Sequence, residues 1–516
     1  MPKFSKVQSA SVLGIDAYIV DVECNLATGK LPRYVTVGLP EGAVKESKER
    51  VLTAIRNTGY RYPGNKIVVN LAPADIKKEG SAFDLPIAIG ILAAAGYIDH
   101  DLLADYVILG ELSLDGRCRK VNGVISIAIS IKNSDIKGLI LSKENAREAA
   151  VVDGLDVIPV SHLNEAVDFL NQQIDPKPAT LNLEKLFTQN SVYRSDFAEV
   201  KGQENVKRSI EVAASGSHNA LMIGPPGSGK TMLARRIPTI LPRLSLDEAL
   251  ETTKIHSISG NLNPKHGIIA TRPFRSPHHT ISDAALIGGG RIPKPGEVSL
   301  SHNGVLFLDE LPEFKKNVLE VMRQPLEDGE VTISRAKSTL SYPASFMLVA
   351  AMNPCPCGYA TDPHNQCSCT TSQVQRYISK ISGPLLDRID IHIEVPAVDF
   401  AELASKKPGE KSERIRERIE KARSIQQKRF NNENGIYANA HMDNRLIKQY
   451  CKINDSGKKL LKIALEKLGL SARAYNKILK VARTIADLEG EEKIGNQHLS
   501  EAIQYRSLDR KLWLYE

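Results

Sequence analysis

A chain of 516 residues is too long for a single hydrophobic core and predicts about three domains. Its net charge of +8, with a pI near 8.9, is compatible with a polyanionic partner, while seven cysteines at this length exclude a disulfide scaffold. The first hydrophobic stretch is interrupted by Asp16, and the longest apolar run, Leu85 to Ile98, is too short for a bilayer span and holds Pro86, Gly90 and Gly96. The expectation is a cytoplasmic protein in a reducing compartment, without a signal peptide or a membrane partner.

In chain order, residues 1–172 alternate strands and helices. Ile67–Leu71 and Tyr106–Gly110 read as strands, Leu85–Ile98 as a buried helix and Ala146–Val152 as another helix. Pro176 and Pro178, in a polar stretch from Asn171 to Thr180, mark a linker, assigned to 173–196. The next domain, 197–397, contains Ala220–Ile223 as a short buried strand and Thr231–Ile237 as a helix ended by Pro238. Val305–Leu308 and Phe346–Ala351 read as further buried strands. Between them, Glu330–Ser334 and Ser338–Tyr342 form a predicted hairpin whose tip is Arg335-Ala336-Lys337. A glycine-rich loop, Gly288–Lys294, carries Arg291 and Lys294. Residues 398–516 are rich in Lys, Arg and Glu, with Ile415 and Ile419 on one apolar stripe, and read as a helical domain.

The first strand and helix of the second domain flank Gly224-Pro225-Pro226-Gly227-Ser228-Gly229-Lys230-Thr231, which satisfies G-x-x-x-x-G-K-[ST] at every constrained position. Such a loop turns backbone N–H groups inward around phosphate oxygens and aims a helix N-terminus at them. The segment from Gly224 through Met232 is therefore the expected ATP cradle. Lys230 is expected on the β- and γ-phosphates and Thr231 on Mg²⁺. Asp309, at the end of its strand, is placed to reach the same ion through water, and Glu310 to orient or deprotonate the attacking water. Asn353, after the third strand, can bond that water or the γ-phosphate.

Cys355-Pro356-Cys357 and Cys367-Ser368-Cys369 bracket a polar loop, and this insertion, 355–369, can wrap one structural Zn²⁺ tetrahedrally. His364 could replace one ligand, and four reduced thiols are the alternative. The basic positions Arg335, Lys337, Arg291 and Lys294 suit phosphate contacts that carry no sequence preference, with two solvated loops as the alternative.

Order and spacing resemble an AAA+ ATPase, in the branch that contains the magnesium-chelatase ATPase subunit and the MCM helicases. Four strings are similar to the pattern of the YifB/ComM family: Phe274-Arg275-Ser276-Pro277-His278-His279-Thr280, Pro293-Lys294-Pro295-Gly296-Glu297, the run from Asn303 to Phe314, and Gly383-Pro384-Leu385-Leu386-Asp387-Arg388. The resemblance covers nearly the whole chain. It implies that Asn353 senses the γ-phosphate and that Arg388 enters a neighbouring subunit's site. It also implies that Arg473, in Gly469-Leu470-Ser471-Ala472-Arg473, is a second sensor, acting in cis or in trans. A homo-hexameric ring is implied, coupling ATP hydrolysis to movement on single-stranded or branched DNA. Its implied task is branch migration in homologous recombination and natural transformation.

Residues 1–172 resemble the Lon protease domain through Leu109–Arg117, Val121–Val124 and Ser142–Asn145. The expected fold is therefore α/β, with an N-terminal Lon-protease-like α+β domain, a central AAA+ P-loop α/β domain and a C-terminal helical lid. Lon's Ser–Lys dyad is missing: Ala82 and Ile125 stand at the aligned positions, with Ser81 one residue away. A magnesium-chelatase-like motor that remodels a protein partner is a second reading. An ATP-dependent protease, which needs the missing dyad, is a third.

Overall fold

The computed structural model describes residues 3–27, 33–39, 42–61, 66–74, 78, 80–132, 134–290, 293–335, 338–362, 365–397, 409–433, 435–468 and 472–508. The chain forms two compact units, Met1–Ser191 with Leu246–Ala270, and Val192–Ser245 with Thr271–Glu516. Among the described residues, no helix is long and apolar enough to cross a membrane.

The first unit is built on a seven-stranded mixed sheet. Its strand order is Tyr34–Val37, Lys66–Ala72, Asp16–Ala27, Phe4–Leu13, Tyr106–Ile108, Gly138–Ser142, Asp156–Val160. Phe4–Leu13 and Asp16–Ala27 form a long antiparallel hairpin, closed by a turn at Gly14. The apolar run singled out in the sequence is the helix Asp84–Ala94, buried along its whole length. Gly96, at φ +85°, closes it by returning its N–H to Ala93. Asp84 at its start pairs with Arg50 at 2.8 Å, yet burial still pushes its carboxyl up to about 6.

Two predicted elements are shorter than expected. The strand at Tyr106 stops at Ile108, because Gly110 turns its N–H to Ala82 and leaves the sheet. The helix at Ala146 stops at Ala149 and continues to Val152 only as turns. Residues 173–196 include the helix Leu183–Asn190, capped by the Asn182 side chain.

The second unit is a parallel α/β sheet followed by helices, as expected for a P-loop core with a helical C-terminal region. Its five strands run in the order Phe274–Arg275, Val305–Leu308, Met347–Met352, Ala220–Ile223, Ile391–Glu394, every pair parallel. The uniformly apolar runs Val305–Leu308 and Met347–Met352 are buried at every position, which is how a strand covered on both faces reads. One expectation needs correction: Pro238 does not end its helix, which runs Lys230–Ile240. The Leu241 N–H still reaches Ile237 at 3.2 Å, so the ladder resumes past the single N–H that proline lacks.

The C-terminal region holds the helices Ser412–Arg429, Asn444–Tyr450, Asp455–Leu468, Ala472–Glu489 and Asn496–Gln504. Ile415 and Ile419 are 4% and 0% exposed, the stripe expected from their spacing. A buried network ties these helices to the sheet. Asp390 meets His218 Nδ1 and Lys477 Nζ, each at 3.0 Å, and His218 Nε2 meets Thr484 at 2.8 Å. Burial works to raise the Asp390 carboxyl, but the Lys477 charge and the His218 hydrogen bond override it and hold that group ionised.

Candidate functional site

Strand register assembles the site. Ile223 lies opposite Met352, and Leu308 opposite Ala350, so the carboxyl ends of three parallel strands align. The loops leaving those ends begin at Gly224, Asp309 and Asn353, at the edge where open α/β sheets bind ligands. Two glycines are obligatory in the phosphate loop. A Cβ at Gly224 would lie 2.1 Å from the Val395 carbonyl oxygen, and Gly229 sits at φ +87° where the helix begins.

Lys230 Nζ donates to the carbonyls of Gly224 at 2.7 Å and Pro225 at 2.8 Å, and lies 3.3 Å from Asn353 Oδ1. Burial lowers the Lys230 pKa, and the Asp309 charge opposes that shift. Thr231 Oγ1 donates to Asp309 Oδ2 at 2.7 Å. A hydroxyl beside a carboxylate is the hard-oxygen donor set that suits Mg²⁺, and the cradle with Lys230 suits a polyphosphate. Lys230, Thr231, Asp309 and Asn353 thus come together, as separate stretches of sequence predicted.

Glu310 stands next to this cluster, its backbone N–H on Asp309 Oδ1 at 3.0 Å. It occupies the left-handed region at φ +54°, a conformation costing about 1–3 kcal/mol for such a residue and concentrated at functional sites. Its carboxylate is 59% exposed and lies 3.1 Å from His279 Nδ1. The His279 ring packs against His278, with centroids 4.1 Å apart, and meets Phe314 in a T-shaped contact at 6.4 Å. The family strings also meet through Arg275, which clasps Glu297 with two bonds of 2.5 and 2.6 Å.

His279 is a residue that the motif strings contained but to which no role was given. Only its 3.1 Å approach to Glu310 across the chain identifies it. Tethering an exposed carboxylate removes rotamers it would otherwise sample, worth about 1 kcal/mol. His279→Ala is expected to lower turnover by roughly five- to tenfold with nucleotide affinity unchanged, and His279→Gln to recover part of it. Parallel nucleotide titrations and steady-state rates check this. Equal losses in affinity and turnover would place His279 in the scaffold instead. Gln203 was also given no side-chain task. Its Nε2 donates to the Ser228 and Pro396 carbonyls, both at 3.0 Å, and so pins the phosphate loop to the last strand's exit.

Other predicted residues lie apart from the cluster by their contacts. Arg388 donates to the Pro384 carbonyl at 2.5 Å and pairs with Glu327. Arg473, 70% exposed, pairs at 2.9 Å with Asp387, the neighbour of Arg388. Cys355, Cys357, Cys367 and Cys369 converge, their sulfurs all within 4.8 Å of one another, while His364 lies outside the described residues.

The predicted hairpin is formed by Glu330–Arg335 and Ser338–Pro343, paired from Glu330↔Pro343 to Arg335↔Ser338. Arg335 ends the first strand, and Lys337 lies outside the described residues. In the second basic loop, Gly288–Gly289 pairs with Lys294–Pro295, and Lys294 is exposed. Arg291 lies outside the described residues. The two hairpins are joined, since the buried Tyr342 hydroxyl donates to the Pro293 carbonyl at 2.7 Å.

At the aligned dyad positions of the first unit, the Ala82 carbonyl accepts from Gly110, and Ile125 is fully buried with its N–H on Glu148. Ser81, one residue off, donates to the Glu111 carboxylate.

Comparison with known proteins agrees with this architecture. Family models described as magnesium chelatase, subunit ChlI, match residues 196–403, 22–145 and, for the C-terminal part, 409–506. The chain is 46% identical to "Competence protein ComM" of Haemophilus influenzae over 509 residues, covering 98% of each chain. It is 44% identical to "Uncharacterized protein YifB" of Escherichia coli over 512 residues, again covering 98% of each. A shorter stretch of 144 residues is 30% identical to Lon protease 2 of Bacillus subtilis, covering 27% of this chain and 26% of that one. With full-length relatives at this identity and a P-loop site at the carboxyl edge of a parallel sheet, the chain belongs to the magnesium-chelatase-like AAA+ family that includes these ComM and YifB proteins.

Proposed function

We propose that the protein is a ring-forming ATP hydrolase, a homo-hexamer, that couples hydrolysis to movement on single-stranded or branched DNA. Its proposed task is branch migration during homologous recombination and natural transformation. In this reading Lys230 holds the β- and γ-phosphates, Thr231 and Asp309 hold Mg²⁺, and Glu310 and Asn353 position the attacking water. When bound, the ion neutralises charge on the phosphates. The Asp387–Arg473 pair, one residue from Arg388, supports both arginines acting from the same edge, on a neighbouring subunit's nucleotide. Membership beside a protein named for competence supports the DNA task.

The observation that carries the DNA reading is the junction of two basic hairpins at Tyr342 and Pro293, in the same compact unit as the nucleotide site. Tyr342 lies near the base of the first hairpin, opposite Val331, so its bond to Pro293 joins the second basic loop to that hairpin's base and gathers Arg335 and Lys294 on one pair of linked hairpins. A second reading, ATP-driven remodelling of a protein partner, is favoured by the magnesium-chelatase family models, which span most of the chain.

Replacing Arg335 and Lys337 together by Ala separates the two. The log–log salt slope of single-strand binding is expected to become shallower by roughly 0.7 for each basic side chain withdrawn from a phosphate, in each engaged subunit. Sequence preference is expected to stay unchanged, because such side chains read charge and not bases. Basal ATPase is expected to persist, while DNA stimulation and strand displacement fall together. A double variant that binds and displaces strands like the parent would move the assignment to the partner-remodelling reading.

A further inference from the structure

We propose that Cys355, Cys357, Cys367 and Cys369 bind one structural Zn²⁺ ion, and that this thiolate clasp braces the sensor loop against the phosphate loop. The sulfurs are 3.3 Å apart for Cys355–Cys357, 3.7 Å for Cys355–Cys367 and 3.6 Å for Cys357–Cys367. A disulfide needs about 2.05 Å, so none of these pairs is bonded. Four thiolates at about 2.3 Å from a tetrahedral Zn²⁺ stand about 3.8 Å from one another, close to the separations here.

The backbone is arranged for thiolates. Cys357 Sγ accepts N–H groups from Tyr359 and Ser368, and Cys355 Sγ accepts from Ala360. The Cys357 N–H in turn points at Cys369 Sγ at 3.4 Å. Such N–H···S bonds spread the charge that four sulfurs carry around one divalent ion and fix their orientation. Binding releases the thiol protons to solvent, and four protein ligands leave no open coordination position, so the ion is structural.

The location gives the clasp its task. Between Met352 and the helix Thr371–Ile378, the described residues contain neither helix nor strand. An unstructured loop above about 12–15 residues is uncommon inside a compact domain and needs another constraint. Gly358, at φ +88°, packs so close that a Cβ there would lie 2.6 Å from Pro226 Cδ in the phosphate loop. Asn353, two residues before Cys355, reaches Lys230, and its own N–H is received by the Tyr377 hydroxyl. Loss of the ion therefore frees a segment that touches both the phosphate loop and the sensor asparagine. The bracing half rests on the nucleotide-site reading above; the metal half does not.

The test uses the full chain, purified without chelator. Elemental analysis is expected to find about one Zn²⁺ per chain, released by a mercurial as the cluster thiols are consumed. Replacement of Zn²⁺ by Co²⁺ is expected to give the intense visible absorption of a tetrahedral tetrathiolate. Cys357→Ser with Cys367→Ser is expected to lose the metal, while Cys451→Ser, outside the cluster, keeps it. If the double variant does not fold, metal content and the cobalt spectrum of the parent decide. Protein that lacks zinc and has four freely titrating cluster thiols, or that holds iron instead, would overturn the site. Lys230→Ala is expected to keep its zinc, which separates failure of the nucleotide reading from failure of the metal site. A non-hydrolysable ATP analogue is expected to slow mercurial release of zinc several-fold in the parent and not in Lys230→Ala. An unchanged rate in parent protein shown to bind the analogue would remove the bracing role.

Discussion

Glu310→Gln is expected to bind ATP as tightly as the parent and to lose turnover by about 10²–10⁴, the range that a positioned acid–base group contributes. The side chain lies beside Asp309, held at the site by a strained backbone and by His279, but makes none of the contacts assigned to phosphate or metal. Its removal should therefore be felt in the transition state and not in the ground state. Lys230→Ala is the contrasting variant. Its ammonium is buried among the Gly224 and Pro225 carbonyls, so its loss should weaken nucleotide binding itself. Equilibrium titration with a fluorescent nucleotide, beside single-turnover hydrolysis, distinguishes the two signatures. Near-parental hydrolysis by Glu310→Gln would remove that residue from the reaction.

Arg388→Ala is expected to bind nucleotide and yet lose about 10³–10⁵ in rate, as when an arginine finger is withdrawn from a phosphoryl-transfer site. Among the described residues, Arg388 is joined to Pro384 and Glu327 and not to the cluster around Lys230. Its Nε is buried without a hydrogen-bond partner among those residues. In the proposed ring this arginine serves a neighbouring copy, which requires it to exchange its Glu327 partner for that copy's nucleotide. Mixing Arg388→Ala with Lys230→Ala is then expected to restore part of the activity, because some interfaces in a mixed ring contain both intact residues. Mixed assemblies shown to exchange subunits, but staying inactive, would argue that Arg388 serves its own chain.

Much of the site was legible in the amino-acid sequence, because its parts are local. The phosphate loop announces itself by glycines that must approach other backbone or adopt positive φ, and Asp309 and Asn353 follow short apolar runs whose length and composition read as buried strands. Strand order then brings these stretches together, since parallel strands of one sheet present their carboxyl ends at one edge. The cysteine cluster was legible for the same reason: its two pairs sit at the ends of one loop.

Tertiary structure alone decided what depends on partners distant in sequence. The helix Leu246–Ile258 buries polar residues, Thr252, Thr253 and Ser257 among them, so nothing local indicated that Leu246–Ala270 would join the N-terminal unit. Proline chemistry predicted a helix end at Pro238, but burial of the last turn and the surviving Leu241 to Ile237 bond carried the helix on to Ile240. The His279–Glu310 approach, the Gln203 clasp and the packing of Gly358 on Pro226 each join segments whose separation no periodicity encodes. Side-chain type and spacing determine which groups are available for chemistry, whereas which of them meet is set by how the strands and helices pack, a property of the whole chain.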